Sequence, residues 1–199
     1  MIAYPLGDSL YLNITNRCPN HCSFCIRNFS DGIDGYNLWL EKEPTTKEII
    51  EAIGDPTKYK EVVFCGFGEP LMRLQVVLDV ARHIKKNYPG VPIRINTNGL
   101  GNLINGEDIT PYFRGLIDTV SISLNAENAK KYQEICNSDY GEDAFYSMLE
   151  FARKCKNHVP RVVLTVVDVP GVDVEKCRKI AEELGVEFRV RHYEGGDGE

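Results

Sequence analysis

The 199-residue chain has no apolar run near the ~20 residues that a membrane helix needs, so no helical span is expected. Its opening, MIAYPLGDSLYLNIT, lacks the basic start and long apolar stretch of a signal peptide. Positive charge is short. The 23 Lys and Arg against 29 Asp and Glu leave a formal net charge of −6, which argues against a broad nucleic-acid-binding face and leaves room for a local basic pocket only. Repeats, low-complexity tracts and linker-like stretches are absent. One domain over 1–199 is therefore expected, ending in a flexible acidic tail, EGGDGE, at about 194–199. Cys65, Cys136, Cys155 and Cys177 show no pairing pattern. With no export signal, the expected home is the reducing cytoplasm, where the seven cysteines read as thiolate ligands and small buried hydrophobes rather than disulfides.

What the chain has is 43% apolar residues, enough for one substantial core, and a rhythm of strands and helices. Strands are expected at 10–15, 61–65, 92–97, 118–125, 161–169 and 186–193. Helices are expected at 45–53, opened by a Thr45/Glu48 capping box, then at 73–88, within 106–116, at 126–135, at about 142–156, and at 173–184 between Asp173 and Gly185. Six strands alternating with helices imply an α/β fold wound as one continuous βα series of parallel strands. An open doubly wound sheet and a barrel both fit that count. Strand faces separate them. Thr119, Ser121, Ser123 and Asn125 share one face of their strand, as do Arg94, Asn96 and Asn98, and Glu187, Arg189 and Arg191. A doubly wound sheet favours strands apolar on both faces. Polar rows facing one way point to an open, wet interior, hence a partial (β/α)6 barrel with strands inside and helices outside.

The stretch ITNRCPNHCSFCIRN (14–28) concentrates the chemistry. C-x3-C-x2-C sets three soft ligands, Cys18, Cys22 and Cys25, on one short loop (16–28) after a strand. Structural zinc takes four ligands, usually in two separated pairs. His21 lies inside the loop, and no second C-x2-C pair follows. Ordinary iron–sulfur electron-transfer sites take four cysteines. A four-iron cluster on three cysteines leaves one iron open, as a reactive site does.

This stretch resembles the cluster loop of radical S-adenosylmethionine (radical SAM) enzymes, whose hallmark is this spacing with an aromatic residue, here Phe24, before the last cysteine. The resemblance implies a partial barrel, a [4Fe-4S] cluster on Cys18, Cys22 and Cys25, and S-adenosylmethionine on the uncovered iron. It implies a reductant such as flavodoxin or ferredoxin. One electron would cleave the sulfonium to give a 5′-deoxyadenosyl radical that takes hydrogen from an unidentified small-molecule or protein substrate. CGFGEP (65–70) resembles the family's GGE-type motif, so Gly66, Gly68 and Glu69 are expected around the cofactor's amino group, with Phe67 in place of a glycine, a departure that matters little if Phe67 points outward. Asn98 of NTNG, and Ser121, Ser123 and Asn125, resemble polar cofactor contacts. Val167 and Val169 of VVDVPGVD resemble residues flanking the adenine. The long 28–44 segment, with Gly32, Gly35, Tyr36 and Trp39, reads either as a lid or as a packed connection. Cys65 reads as a small buried hydrophobe, and Arg189 and Arg191 as a site for an acidic group or as partners of neighbouring acids.

Within the family, LYLNITNRC, VVFCGFGEPL, RINTNG and VSISLNAEN resemble small members associated with TatD-family nucleases. That association supplies no reaction. A cysteine-rich extension and a cobalamin domain are missing from the sequence. Activase-like hydrogen abstraction from a protein glycine and small-molecule rearrangement both remain open. So does a non-catalytic iron–sulfur carrier or SAM-binding sensor.

Overall fold

The computed structural model describes residues 1–193. Strands β1 (Ala3–Leu6) and β2 (Ser9–Leu12) form an antiparallel pair turned at Gly7, whose φ is +54°. A small hairpin, β3 (Gly32–Ile33) and β4 (Tyr36–Asn37), follows the cysteine loop. Then come α1 (Thr46–Ile53), β5 (Glu61–Phe64), α2 (Leu74–Asn87), β6 (Ile93–Thr97), α3 (Gly101–Asn105), β7 (Thr119–Ser123), α4 (Ala129–Cys136), α5 (Asp143–Cys155), β8 (Arg161–Val167), α6 (Val174–Leu184) and β9 (Glu187–Arg191). The main sheet has the order β1-β2-β5-β6-β7-β8-β9. Every pairing from β2 to β9 is parallel, and β1 lies antiparallel on the edge. Among the described residues the sheet does not close on itself, so the fold is the expected α/β partial barrel, with an antiparallel strand that was not expected.

The six expected parallel strands are present, and their alternation explains the layering. Leu10, Leu12, Phe64, Ile93, Ile95, Val120, Ile122 and Leu164 face the helices and are buried with Val77, Ala81 and Ile84 of α2 and Met148, Phe151 and Ala152 of α5. Each such side chain contributes about 1.5–3 kcal/mol by leaving water. Cys136, Cys155 and Cys177 belong to this core, and no cysteine is disulfide-bonded among the described residues. On the opposite face of β6 and β7, Arg94, Asn96, Thr119, Ser121 and Ser123 are half-buried, as the polar rows required. β8 departs from this: Val162 to Val166 are buried on both faces.

Capping follows the sequence. Thr45 Oγ1 accepts from Glu48 N at 3.1 Å, and Asp173 Oδ1 accepts from Lys176 N at 3.0 Å. Gly185 ends α6 at φ +69°. The expected helix within 106–116 is instead α3, set earlier, and a 3-10 turn at Thr110–Phe113. Gly106 at φ +68° and Pro111 break the segment between them. The expected tail at 194–199 lies outside the described residues.

The 28–44 segment is tied to the domain in its second half, while Phe29 and Trp39 stay exposed. Asp34 and Gly35 both have positive φ, which turns the β3–β4 hairpin tightly. Buried Asn13 donates Nδ2 to Leu38 O at 2.7 Å, and Asn16 donates to Leu40 O at 2.8 Å. Trp39 stands edge-on to Phe67, with centroids 4.8 Å apart. Phe67 points inward. It is 5% exposed and packs with Tyr4 and Leu38 in a small second core. Among the described residues no helix is long and apolar enough to cross a membrane.

Candidate functional site

The cysteine loop leaves β2 at the end where the parallel strands finish. It is tied down along its whole length. His21 N donates to Cys136 O at 2.8 Å, Ser23 N to Ile135 O at 3.0 Å, and Asp139 N to Pro19 O at 2.9 Å. Asn20, 2% exposed, donates Nδ2 to the buried Tyr132 hydroxyl at 2.9 Å. Arg27 reaches back to Asn16 O at 2.9 Å, and Asn28 donates Nδ2 to Cys22 O at 3.0 Å. The loop thus hangs on α4, β2 and itself, and its three thiols are presented from a fixed backbone.

Each thiol has a different neighbour. Cys18 Sγ lies 3.9 Å from Asn98 Nδ2. Cys25 Sγ accepts from Arg27 Nε at 3.4 Å. Cys22 packs against the core and meets Cys136, whose Sγ also accepts from Asn125 Nδ2 at 3.4 Å. Burial, then the charge of Glu69, pushes the Cys18 thiol up to about 12. Hydrogen bonding with Cys136, then burial, pushes Cys22 up as well. Thiols in such surroundings stay protonated unless a metal takes them as thiolates. Among the described residues no three His, Cys, Asp or Glu side chains converge as ligands of a single metal ion. His21 is turned outward to Asp139 at 3.2 Å. Phe24 is half-buried against the core.

Glu69 carries the sharpest electrostatic signal. It is 3% exposed and caps the 3-10 turn Pro70–Arg73. Its Oε1 accepts from Leu71 N at 3.1 Å and Thr97 Oγ1 at 2.7 Å, and its Oε2 accepts from Asn98 N at 2.8 Å. Burial holds its carboxyl above the usual range, against the pull of those three donors. No Lys, Arg or His pairs with it among the described residues. A carboxylate offers about four lone-pair positions, and three are taken. One acceptor position and one uncompensated charge remain.

The glycines beside it serve packing. A Cβ on Gly66 would meet Asn13 Oδ1 at 2.0 Å, and one on Gly68 would meet Thr15 O at 2.3 Å and Arg17 O at 2.7 Å. Both seat the 65–69 turn on the start of the cysteine loop, and Glu69 N donates to Arg17 O at 2.8 Å. Asn98 joins the two halves, with its backbone N–H on Glu69 and its side chain beside Cys18. Ser121 and Ser123 lie on the polar face of β7. Val167 ends β8 half-buried, and Val169, also half-buried, donates its N–H to Val167 O at 2.8 Å. Asn125, left-handed at φ +65° and 4% exposed, turns its amide nitrogen to Cys136 instead of the polar face. The structure therefore brings Cys18, Asn98 and Glu69 together and sets Asn125 behind Cys22. Thr97, Asn20, Tyr132 and Asn13 are positioning residues that the sequence reading missed. Nothing in their spacing announces them, since each acts across a distant chain contact.

A parallel partial barrel whose strand ends carry a pinned three-cysteine loop beside a buried, uncompensated glutamate defines a class. Residues 12–184 match the Radical SAM superfamily, and the chain belongs to it. Among curated relatives it is 25% identical over 134 residues to the GTP 3′,8-cyclase of Paenarthrobacter nicotinovorans, covering 65% of this chain and 35% of that protein. It is 24% identical over 197 residues to the probable dual-specificity RNA methyltransferase RlmN of Synechococcus sp., covering 92% and 54%. The chain thus spans about a third to a half of the curated relatives it matches. Among solved structures it resembles a radical SAM methyltransferase from Sphaerobacter thermophilus, with a TM-score of 0.61 and 15% identity, covering 97% of this chain and 69% of that one. It also resembles methylornithine synthase, with a TM-score of 0.59 and 17% identity, covering 93% and 53%.

Proposed function

We propose that this chain is a radical SAM enzyme domain in which Cys18, Cys22 and Cys25 hold a [4Fe-4S] cluster and the strand ends hold S-adenosylmethionine. The observation that carries the reading is Glu69. A buried carboxylate without a cation is costly unless a ligand supplies one. The amino group of S-adenosylmethionine is such a cation, and Glu69 has one acceptor position left for it. The donor set fits the cluster too. Three thiols on one fixed loop give soft ligands, and a cubane offers its thiolates separate irons, so they need not meet at a point as the ligands of one ion must. When bound, the cluster and cofactor supply one-electron cleavage of the sulfonium and a 5′-deoxyadenosyl radical that takes hydrogen from substrate.

The chain's own residues do the rest. Asn98 fixes Glu69 through its backbone and stands beside Cys18, coupling the ammonium site to the cluster loop. Gly66 and Gly68 let the Glu69 turn sit against that loop. Ser121 and Ser123 face the barrel interior as hydroxyl partners for ribose or carboxylate. Val167 and Val169 flank the base. Asn125 and Cys136 position Cys22 from behind. A reductant such as flavodoxin or ferredoxin supplies the electron. The chain resembles the small members associated with TatD-family nucleases in the stretches quoted above.

Anaerobic reconstitution with iron and sulfide, followed by S-adenosylmethionine and dithionite, tests this. 5′-Deoxyadenosine should form, and the Cys18→Ala variant should make none above background. Zinc in the loop would defeat the reading and leave a structural metal site, and a cluster whose spectrum ignores S-adenosylmethionine would defeat it and leave a carrier.

A further inference from the structure

The interior face of the sheet carries charge that the cofactor site does not use. Register places Arg94 and Asn96 of β6 on that face, and Arg189 and Arg191 of β9 on the same face across the barrel. Arg94 spends Nη2 on the Tyr11 hydroxyl at 3.2 Å and on Glu61 Oε1 at 3.0 Å. Its Nε is buried with no partner, and so is Asn96 Oδ1, one rung higher on the same strand. Arg189 and Arg191 pair with no carboxylate among the described residues, whereas their neighbour Glu187 is taken by Arg161 at 2.6 Å. Cys65, at the end of β5, feels both groups. Burial pushes its thiol up, while Asn96 and the charges of Arg191 and Arg94 pull it down. β9 is four places from β5 in the sheet order, about 19 Å along a flat sheet at ~4.8 Å per strand, so Arg191 acts on Cys65 because the sheet curls. Arg189 and Arg191 are exposed on the face that carries Arg94, and on that face a donor and an acceptor of β6 are buried without partners.

We infer that the substrate of this enzyme carries an oxyanion, carboxylate or phosphate, held in the barrel interior by Arg191 from β9 and by Arg94 and Asn96 from β6. This names the substrate class for the site proposed above and rests on that reading for what stands over the anion. Arg94 and Asn98 are four residues apart, roughly 13 Å along a strand. The anion therefore anchors the far end of the substrate and leaves the reacting carbon near Asn98 and Cys18. A guanidinium fork suits such an anion better than a lysine would. The unpaired Asn96 oxygen favours a hydroxyl or amine next to it.

The test uses the 199-residue chain and equilibrium dialysis with inorganic phosphate and, separately, succinate at constant ionic strength. At least one anion should bind saturably at one site per chain. Arg191→Gln should weaken that binding about tenfold or more, from loss of a charge-assisted contact. Arg94→Lys, which keeps the charge beside Glu61 but removes Nε, should weaken it too. Saturable phosphate binding assigns a phosphorylated substrate, and saturable succinate binding assigns a carboxylate. Absence of saturable binding, or equal binding by folded Arg191→Gln and Arg94→Lys, overturns the inference. 5′-Deoxyadenosine formation is scored on the same samples. If it fails while anion binding holds, the cofactor reading falls and the anion site stands; the converse result removes only the anion site.

Discussion

Replacing Glu69 by glutamine removes one charge and changes the shape little. Glutamine keeps one oxygen, but its NH2 must face either Asn98 N–H or Leu71 N–H. One buried N–H then loses its acceptor, which costs about 1–3 kcal/mol. Relief from burying an unpaired carboxylate offsets part of that, so the apo-protein should stay folded. The effect on binding is larger and one-sided. The single remaining lone pair of Glu69 makes one charge-assisted hydrogen bond to an ammonium, worth about 1.5–3 kcal/mol, or about ten- to hundredfold in Kd. Titration calorimetry with S-adenosylmethionine on anaerobically reconstituted protein measures it, and iron content should be unchanged. The pH dependence gives a second readout. Burial raises the Glu69 carboxyl, so binding by the wild type should weaken as pH falls through that raised value, and the Gln variant should lack this step. Stability runs the other way. The folded state holds this proton more tightly than the unfolded chain, so the apo wild type loses stability as pH rises from the ordinary glutamate range through the raised value. The Gln variant lacks that slope. An unchanged Kd in the Gln variant would refute the placement of the ammonium site.

Two other outcomes follow from the packing. Gly68→Ala puts a methyl 2.3 Å from Thr15 O, where only backbone can yield, so it should cost about 1–3 kcal/mol in thermal unfolding and lower iron incorporation; normal iron loading at wild-type stability would count against the glycine's seating role. Tyr132→Phe leaves Asn20 Nδ2 unpaired beside an already unpaired Asn20 Oδ1, and should cost about 1–3 kcal/mol by denaturant unfolding while slowing cluster uptake.

Much of this protein was legible from residues near one another in the chain, because those signals are local. C-x3-C-x2-C sits on one loop, so no tertiary contact is needed to bring its members near one another. The Thr45 N-cap and the Asp173–Gly185 helix were legible because caps act within one turn. Period-two alternation in β6 and β7 separated the helix-facing residues from the interior row. Tertiary structure alone decided what depends on long-range neighbours. Phe67 turned inward because Tyr4, Leu38 and Trp39, distant in sequence, converge on it. Asn125 turned to Cys136 because α4 folds back over the end of β7. Gly66 and Gly68 face protein backbone and Asn13, which no spacing rule could show. Most of all, Glu69 gains its meaning from burial and from donors on Leu71, Thr97 and Asn98. A charge's surroundings are a property of the fold, and they make an ordinary glutamate a site waiting for a cation.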